Sequence, residues 1–274
     1  ALEQRRRLDD GGFEADLAYW KAALAGAPAL TSLPADRARP DVQGFAGAEH
    51  GFPMDASVVG AIAALARSEG ATLFMALFAG FAVAFRRAAS LAEVIMGTDV
   101  ANREHASTEG LIGLFVNQLV LRLDLGDMPT FRALLRRARA VVLAALAHGK
   151  LPFDRLVEAV RPTRSAGHNP LFQVMFVLEN APMPPLALDR LSLELLSTEG
   201  GGSPFDLSVL LAPADGGLRG VLRYRTDLYD PATVARLAFA FEDALTVAAA
   251  DPDADLAAID AAIDARERRR RLDV

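Results

Sequence analysis

The residue types that could carry chemistry are few and scattered. The four histidines, His50, His105, His148 and His168, lie far apart in the chain, and there is no cysteine. The lack of Cys excludes disulfides, a thiolate nucleophile and Cys-based zinc sites together. No G-x-S-x-G, H-E-x-x-H, G-x-G-x-x-G or Walker loop occurs. His148 precedes Gly149 at an expected helix end, where a cation suits the helix dipole. Its spacing from Asp154 makes no evident dyad. His105 falls in a polar loop, and His168 in a turn before Asn169-Pro170. No catalytic residue and no metal ligand is assigned.

Several amides and one arginine are better placed. Asn117 and Gln118 interrupt an apolar run, and a buried amide left without a hydrogen bond costs about 1–3 kcal/mol. Either backbone groups satisfy the pair or it faces a cleft. Asn102-Arg103 follows a first apolar run, and Arg103 either pairs with Glu104 or Glu109 or serves a site. Asn169 and Gln173 flank a third run, although Asn169-Pro170 is also an ordinary turn.

These residues need a scaffold, and the apolar pattern outlines one. Residues 1–12 form a polar lead-in. Phe13 to Leu24 reads as an amphipathic helix with Leu17, Trp20 and Leu24 on one face. The Pro-rich stretch 27–46 reads as an extended tether. A strand is expected at Ala48–Met54, then an Asp55-capped helix at Ala56–Ser68. Thr72 caps a helix to about Arg87 that is apolar on nearly all sides and therefore buried. Strands follow at Val94–Gly97 and Leu114–Leu125. Next come a helix at Pro129–Leu146 with a basic middle (Arg132, Arg136, Arg137, Arg139) and a short one at Phe153–Val160.

A third strand is expected at Phe172–Leu178, and a long excursion over 181–204 around a short strand, Leu191–Leu195. Phe205–Leu211 and Gly220–Tyr224 read as a hairpin closed near Asp215-Gly216-Gly217. Pro231 opens a last long helix to about Ala250, with Asp230 as its cap. Residues 251–274 read as a linker towards a following domain. Strands alternate with helices and most apolar runs are continuous. That predicts an α/β (α+β) two-layer open sandwich, a mixed sheet with helices on one face.

Three ordered stretches carry a family resemblance. They are I-G-x-F-V-N-x-L-x-L-R from Ile112, H-x-x-x-P-F-x-x-L-V-E from His148, and N-P-L-F-Q-V-M-F from Asn169. In this order they resemble the C-terminal half of the condensation domain of nonribosomal peptide synthetases, and the resemblance spans nearly the whole chain from Phe13. It implies one lobe of the chloramphenicol-acetyltransferase-like fold over residues 13–250. The implied reaction is amide formation between donor and acceptor aminoacyl or peptidyl thioesters held on carrier proteins.

The same resemblance makes Gly97 to Arg103, with Asn102, the floor beneath the substrate channel. It brings Asn117, Gln118, Asn169 and Gln173 towards the tunnel, although the family more often has a small hydroxyl residue at the Gln118 position. It makes Pro182 to Pro204 the latch that crosses to the other lobe. The implied partners are the N-terminal lobe of the same domain, donor and acceptor peptidyl carrier proteins and an adjacent adenylation domain. No cofactor is bound directly, since phosphopantetheine rides on the carriers. The family signature H-H-x-x-x-D-G belongs to the other half and does not occur here, so the chain alone is expected to be inactive. The alternatives are a non-catalytic carrier-docking module, a degenerate or epimerization-type lobe, or an acyltransferase built around His148 and Asp154.

Composition sets outer limits. At 274 residues the chain is long enough to bury roughly 70–75% of its unfolded surface. Hydrophobic residues make up 52% and mean hydropathy is +0.21, an excess expected to mark a face covered by a partner or by the other lobe. The isolated lobe is accordingly expected to self-associate. No apolar run reaches about 18 residues, so no membrane span is expected. A net charge of −6 argues against nucleic-acid binding. The N-terminus lacks the apolar segment of a signal peptide, and a cytoplasmic location is the expectation.

Overall fold

The computed structural model describes residues 2–103, 108, 110–127, 130–163, 165–179, 201–214 and 217–272. In chain order its elements are α1 (Leu2–Asp9), α2 (Glu14–Ala23), β1 (Gly47–Met54), α3 (Ala56–Ser68), α4 (Leu73–Ala89), β2 (Glu93–Val100) and β3 (Asn117–Asp124). There follow α5 (Phe131–Ala147), α6 (Phe153–Val160), β4 (Val174–Leu178), β5 (Leu207–Ala214), β6 (Gly217–Arg225), α7 (Pro231–Ala250) and α8 (Leu256–Leu272).

Local chemistry sets the helix starts. Asp55 accepts the N–H groups of Ser57 and Val58 at 2.7 and 3.3 Å to open α3. Thr72 and Thr130 do the same for α4 and α5 through Met75 and Ala133. Pro231 opens α7, but the carboxylate of Asp230 is drawn away to Arg37. The cap is supplied from outside the helix. Asp36, in the Pro-rich stretch, accepts the Asp230 N–H at 2.8 Å and the Thr233 hydroxyl at 2.9 Å. That stretch is thus pinned to the domain rather than tethered loosely.

The described strands form one sheet in the order β1-β6-β5-β4-β2-β3. β4 is parallel to β5 and to β2, and the other pairings are antiparallel. The sheet is therefore mixed, with its parallel pairs at the centre. Helix α4 is buried at every position from Met75 to Phe85, as its all-round apolarity predicts. The ring of Phe176 on β4 lies 5.6, 5.8 and 5.7 Å from those of Phe74, Phe78 and Phe81. Helices α3, α5 and α7 pack around α4. The C-terminal end of α2 meets the opposite face, where Arg122 of β3 donates to the carbonyls of Ala23 and Ala25 at 3.2 and 2.8 Å.

The structure corrects several sequence expectations. β3 begins at Asn117 rather than Leu114, because the last residue of β2, Val100, already pairs with Asn117. Leu114 is 92% exposed instead. β4 begins at Val174, since Phe172 closes a turn onto the Pro170 carbonyl at 2.8 Å with Leu171 at φ 67°. The β5–β6 hairpin starts later than expected, at Leu207 rather than Phe205, but its strands run three residues further towards the turn, to Ala214 and from Gly217. The turn residues Asp215 and Gly216 lie outside the described residues. So do Pro182 and the strand expected at Leu191–Leu195. The stretch read as a linker carries α8. Leu256, Ile259 and Ile263 of α8 are buried, a spacing that puts them on one helix face. The Arg-rich second half of α8 masked that signal. No single helix among the described residues is long and apolar enough to cross a membrane.

Candidate functional site

Gly97 lies on β2 with Met175 of β4 and Val120 of β3 as cross-strand partners. A Cβ there would sit 2.1 Å from the ring of Phe172, so only glycine lets that aromatic close over the strand. Two residues along, Asp99 pairs with Gln118 across the β2–β3 ladder. Alternation puts Gly97, Asp99, Val120 and Gln118 on one sheet face. Burial raises the Asp99 carboxyl above its ordinary pKa, and a hydrogen bond with Gln118 partly offsets this.

Gln173, 1% exposed, joins three segments next to that face. Its Oε1 accepts the Thr31 N–H at 2.7 Å, and its Nε2 donates to the carbonyls of Asn169 at 2.8 Å and Ala29 at 3.4 Å. The Gln173 carbonyl accepts the Asp206 N–H at 3.0 Å. Asn169 in turn donates to the Pro204 carbonyl at 2.6 Å, which Gln43 also reaches at 2.8 Å. Asn169, Gln173 and Pro204 therefore form one connected cluster. A crevice of about 660 Å³ opens beside it, lined by Val157, Arg161, Thr163, Ser165, His168 and Pro170 among others.

Asn102 and Arg103 stand apart from this cluster. Asn102 takes a left-handed backbone, φ 52°, which Asn tolerates better than most residues. The guanidinium of Arg103 lies 4.1 Å from the centroid of the Phe115 ring and donates to the carbonyls of Thr108, Leu111 and Gly113. It thereby holds a loop whose Leu111, Ile112, Leu114 and Val116 side chains are exposed. Glu104 and Glu109, the other partners considered for Arg103, lie outside the described residues.

Asn117 takes the structural option. Its Nδ2 donates to the carbonyls of Gly149 and Leu151, both at 2.8 Å, and its Oδ1 accepts the Phe153 N–H at 3.1 Å. This one amide fastens the α5–α6 turn and the start of α6 to the end of the sheet. His148 pairs with Asp16 at 2.8 Å and stacks on Tyr19 with centroids 4.1 Å apart. The partner is thus Asp16, not Asp154, because α2 folds back onto the end of α5. Among the described residues no group of three or more His, Cys, Asp or Glu could hold a metal ion.

The sequence marks Asp206, between Phe205 and Leu207, as structural but assigns it no partners, and these form a buried polar assembly. Asp206, 1% exposed, accepts from Arg39 at 3.0 and 2.5 Å and from fully buried Arg225 at 3.3 Å. Arg225 also donates to Asp227 at 2.9 and 2.6 Å. Tyr229 is buried beside them, and burial, with the nearby Asp206 charge, pushes its hydroxyl pKa well above the ordinary value. Single charges within apolar runs were the only available signal. The Arg39–Asp206 pairing spans 167 residues and cannot be read locally. The polar groups of this region face one another, so what the arrangement offers chemically is positioning: a fixed sheet face, a pinned linker and a braced loop.

The comparisons with known proteins agree in kind. The family model described as Condensation domain matches residues 1–269. A linear gramicidin synthase polypeptide of Brevibacillus parabrevis is 41% identical over 274 residues, 99% of this chain and 4% of that protein. The X-domain in its complex with OxyB from teicoplanin biosynthesis is 27% identical with a TM-score of 0.82, covering 93% of this chain and 57% of that one. A four-domain nonribosomal peptide synthetase bound to AMP and glycine is 27% identical with a TM-score of 0.79, covering 88% of this chain and 20% of that one. The chain thus spans a small fraction of the synthetases and little over half of the X-domain chain.

Proposed function

The chain belongs to the condensation-domain family of nonribosomal peptide synthetases, and from that premise we propose that it is the C-terminal lobe of such a domain. The observation that carries this reading is coverage: 93% of this chain superposes on 57% of an X-domain chain, while H-H-x-x-x-D-G does not occur in the sequence. The domain would join an acceptor amine to a donor thioester, each on its own carrier protein. The new C–N bond forms as the donor C–S bond breaks. The amine gives up a proton, and the departing thiolate takes one.

On this reading the lobe positions and the other lobe supplies the acid–base group. The Gly97 face with Phe172 shapes one wall, and Arg103, at the end of the floor, braces the loop that follows it. Pro204, held by Asn169 and Gln43, anchors one end of the latch. Phosphopantetheine arms arrive on the carriers. An adenylation domain would follow residues 251–274.

The test is reconstitution with aminoacyl carriers and detection of amide by mass spectrometry. The chain alone gives no product, and adding the complementary lobe restores it. Amide from this chain by itself would overturn the assignment. In the reconstituted domain Arg103→Ala lowers the rate about tenfold or more, the order expected for lost positioning, with the melting temperature nearly unchanged. A second reading, a docking module, draws support from the X-domain, which is described in a complex with another protein. Carrier binding by this chain without the other lobe would favour it.

A further inference from the structure

Helices α7 and α8 enclose a groove of about 510 Å³ that the proposed reaction does not use. Its floor is apolar, with Ala232, Ala235 and Phe239 from α7 and Ile263 from α8. These α7 positions recur at i, i+3 and i+7, one stripe along the helix. Phe239 is 40% exposed, and the Arg270 guanidinium lies over its ring, 4.5 Å from the centroid.

The rim is basic. Arg236 is exposed and is engaged by the Thr233 hydroxyl at 2.8 Å rather than by a carboxylate. Arg271 reaches Glu267 at 2.6 Å while remaining 71% exposed. Glu267 itself also lines the groove. Arg266 and Arg270, by contrast, are consumed by buried Asp243, at 3.1 and 2.8 Å. A helix C-terminus favours cations in its last turn, which accounts for some of the α8 arginines but not for Arg236 on α7. Three arginines (Arg236, Arg270, Arg271) thus line the slot against one carboxylate, Glu267, in a chain of net charge −6.

We propose that the α7–α8 groove docks an acidic amphipathic helix of a partner protein. Its apolar stripe lies against Phe239 and the alanines, and its carboxylates face Arg236 and Arg271. Helix-in-groove recognition uses apolar anchors at i, i+3, i+4 and i+7, and complementary charge fixes orientation. A second copy of this chain fits less well, because a two-fold contact would set the same arginines against each other. A nucleic acid gains nothing from an apolar floor.

The test uses a fluorescein-labelled peptide with Leu at i, i+3, i+4 and i+7 and Glu at most other positions, read by fluorescence anisotropy against the full chain. The expected result is saturable binding that the scrambled peptide of equal charge lacks. Phe239→Ser and, separately, Arg236→Glu with Arg271→Glu each weaken it about tenfold or more. Arg219→Glu, on the far strand, leaves it unchanged. Both charge-reversal sites are exposed, so that variant keeps the far-UV spectrum and melting curve of the parent. Equal binding of the scrambled peptide or of heparin overturns the proposal, as does no binding at all. So does a dimer that Phe239→Ser converts to monomer while the peptide does not bind.

Discussion

Replacing Asp206 by alanine tests whether its buried ion network holds the domain together. Its side chain is 1% exposed, and those of its partners Arg225 and Arg39 are 0% and 19% exposed. Removing one member of a buried pair costs about 3–5 kcal/mol, because the remaining charge is left without compensation. Arg225 keeps Asp227 at 2.6 Å, and Arg39 keeps the Ser32 hydroxyl and the Gly167 carbonyl at 3.3 Å each. The lower end, about 3 kcal/mol, is therefore expected. That is a large part of the roughly 5–15 kcal/mol that domains possess. Urea unfolding is the assay. With an m-value of about 3 kcal/mol/M, the upper part of the usual range, the midpoint falls by about 1 M. Arg39→Ala combined with Asp206→Ala in a double-mutant cycle shows coupling of at least about 1 kcal/mol. The exposed pair Arg155–Glu158, 49% and 65% exposed, is the control and costs less than about 1 kcal/mol. A loss at Asp206 no greater than at that surface pair would refute the reasoning.

The other predictions follow from single contacts. Gly97→Ala drives a methyl into the Phe172 ring, 2.1 Å away, and costs about 1–3 kcal/mol. Adding Phe172→Leu recovers part of the loss in thermal melts, and no recovery would place the strain elsewhere. Asn117→Ala removes three hydrogen bonds, each worth about 1 kcal/mol. Hydrogen exchange should rise first at Gly149 to Phe153, and uniform exchange would contradict the local role. Burial, the leading cause, raises the Glu242 carboxyl from 4.5 to about 7 against the lowering effect of Arg270. A raised folded pKa means the folded state binds the extra proton between those values. Stability therefore declines as pH rises from about 4.5 to 7, by about 1–2 kcal/mol after discounting for solvent exposure. Glu242→Gln flattens that slope, and an unchanged pH profile would assign it to another group.

Much was legible in the sequence because it is local. The all-round apolar α4 had to be buried. Asp55, Thr72 and Pro231 mark helix starts through backbone groups within three residues. The three ordered motifs around Ile112, His148 and Asn169 indicated the family before any strand was placed, and the mixed sheet followed from continuous apolar runs alternating with helices.

Tertiary structure alone decided where polar side chains found partners. Asn117 could have faced a cleft or fastened a turn, and the proximity of Gly149, Leu151 and Phe153 settled that. Asp36 caps a helix almost two hundred residues away, and Asp230, the local candidate, turns to Arg37 instead. The β5–β6 hairpin brings Asp206 and Arg225 together, but Arg39 joins them from 167 residues away, and that pairing lies in no window of sequence. The α8 helix was obscured for a related reason: three apolar residues among many charges define a buried face only when α7 is there to receive it. Backbone propensity and apolar period act over a few residues and can be read in order, whereas charge pairing acts through space and needs the fold first.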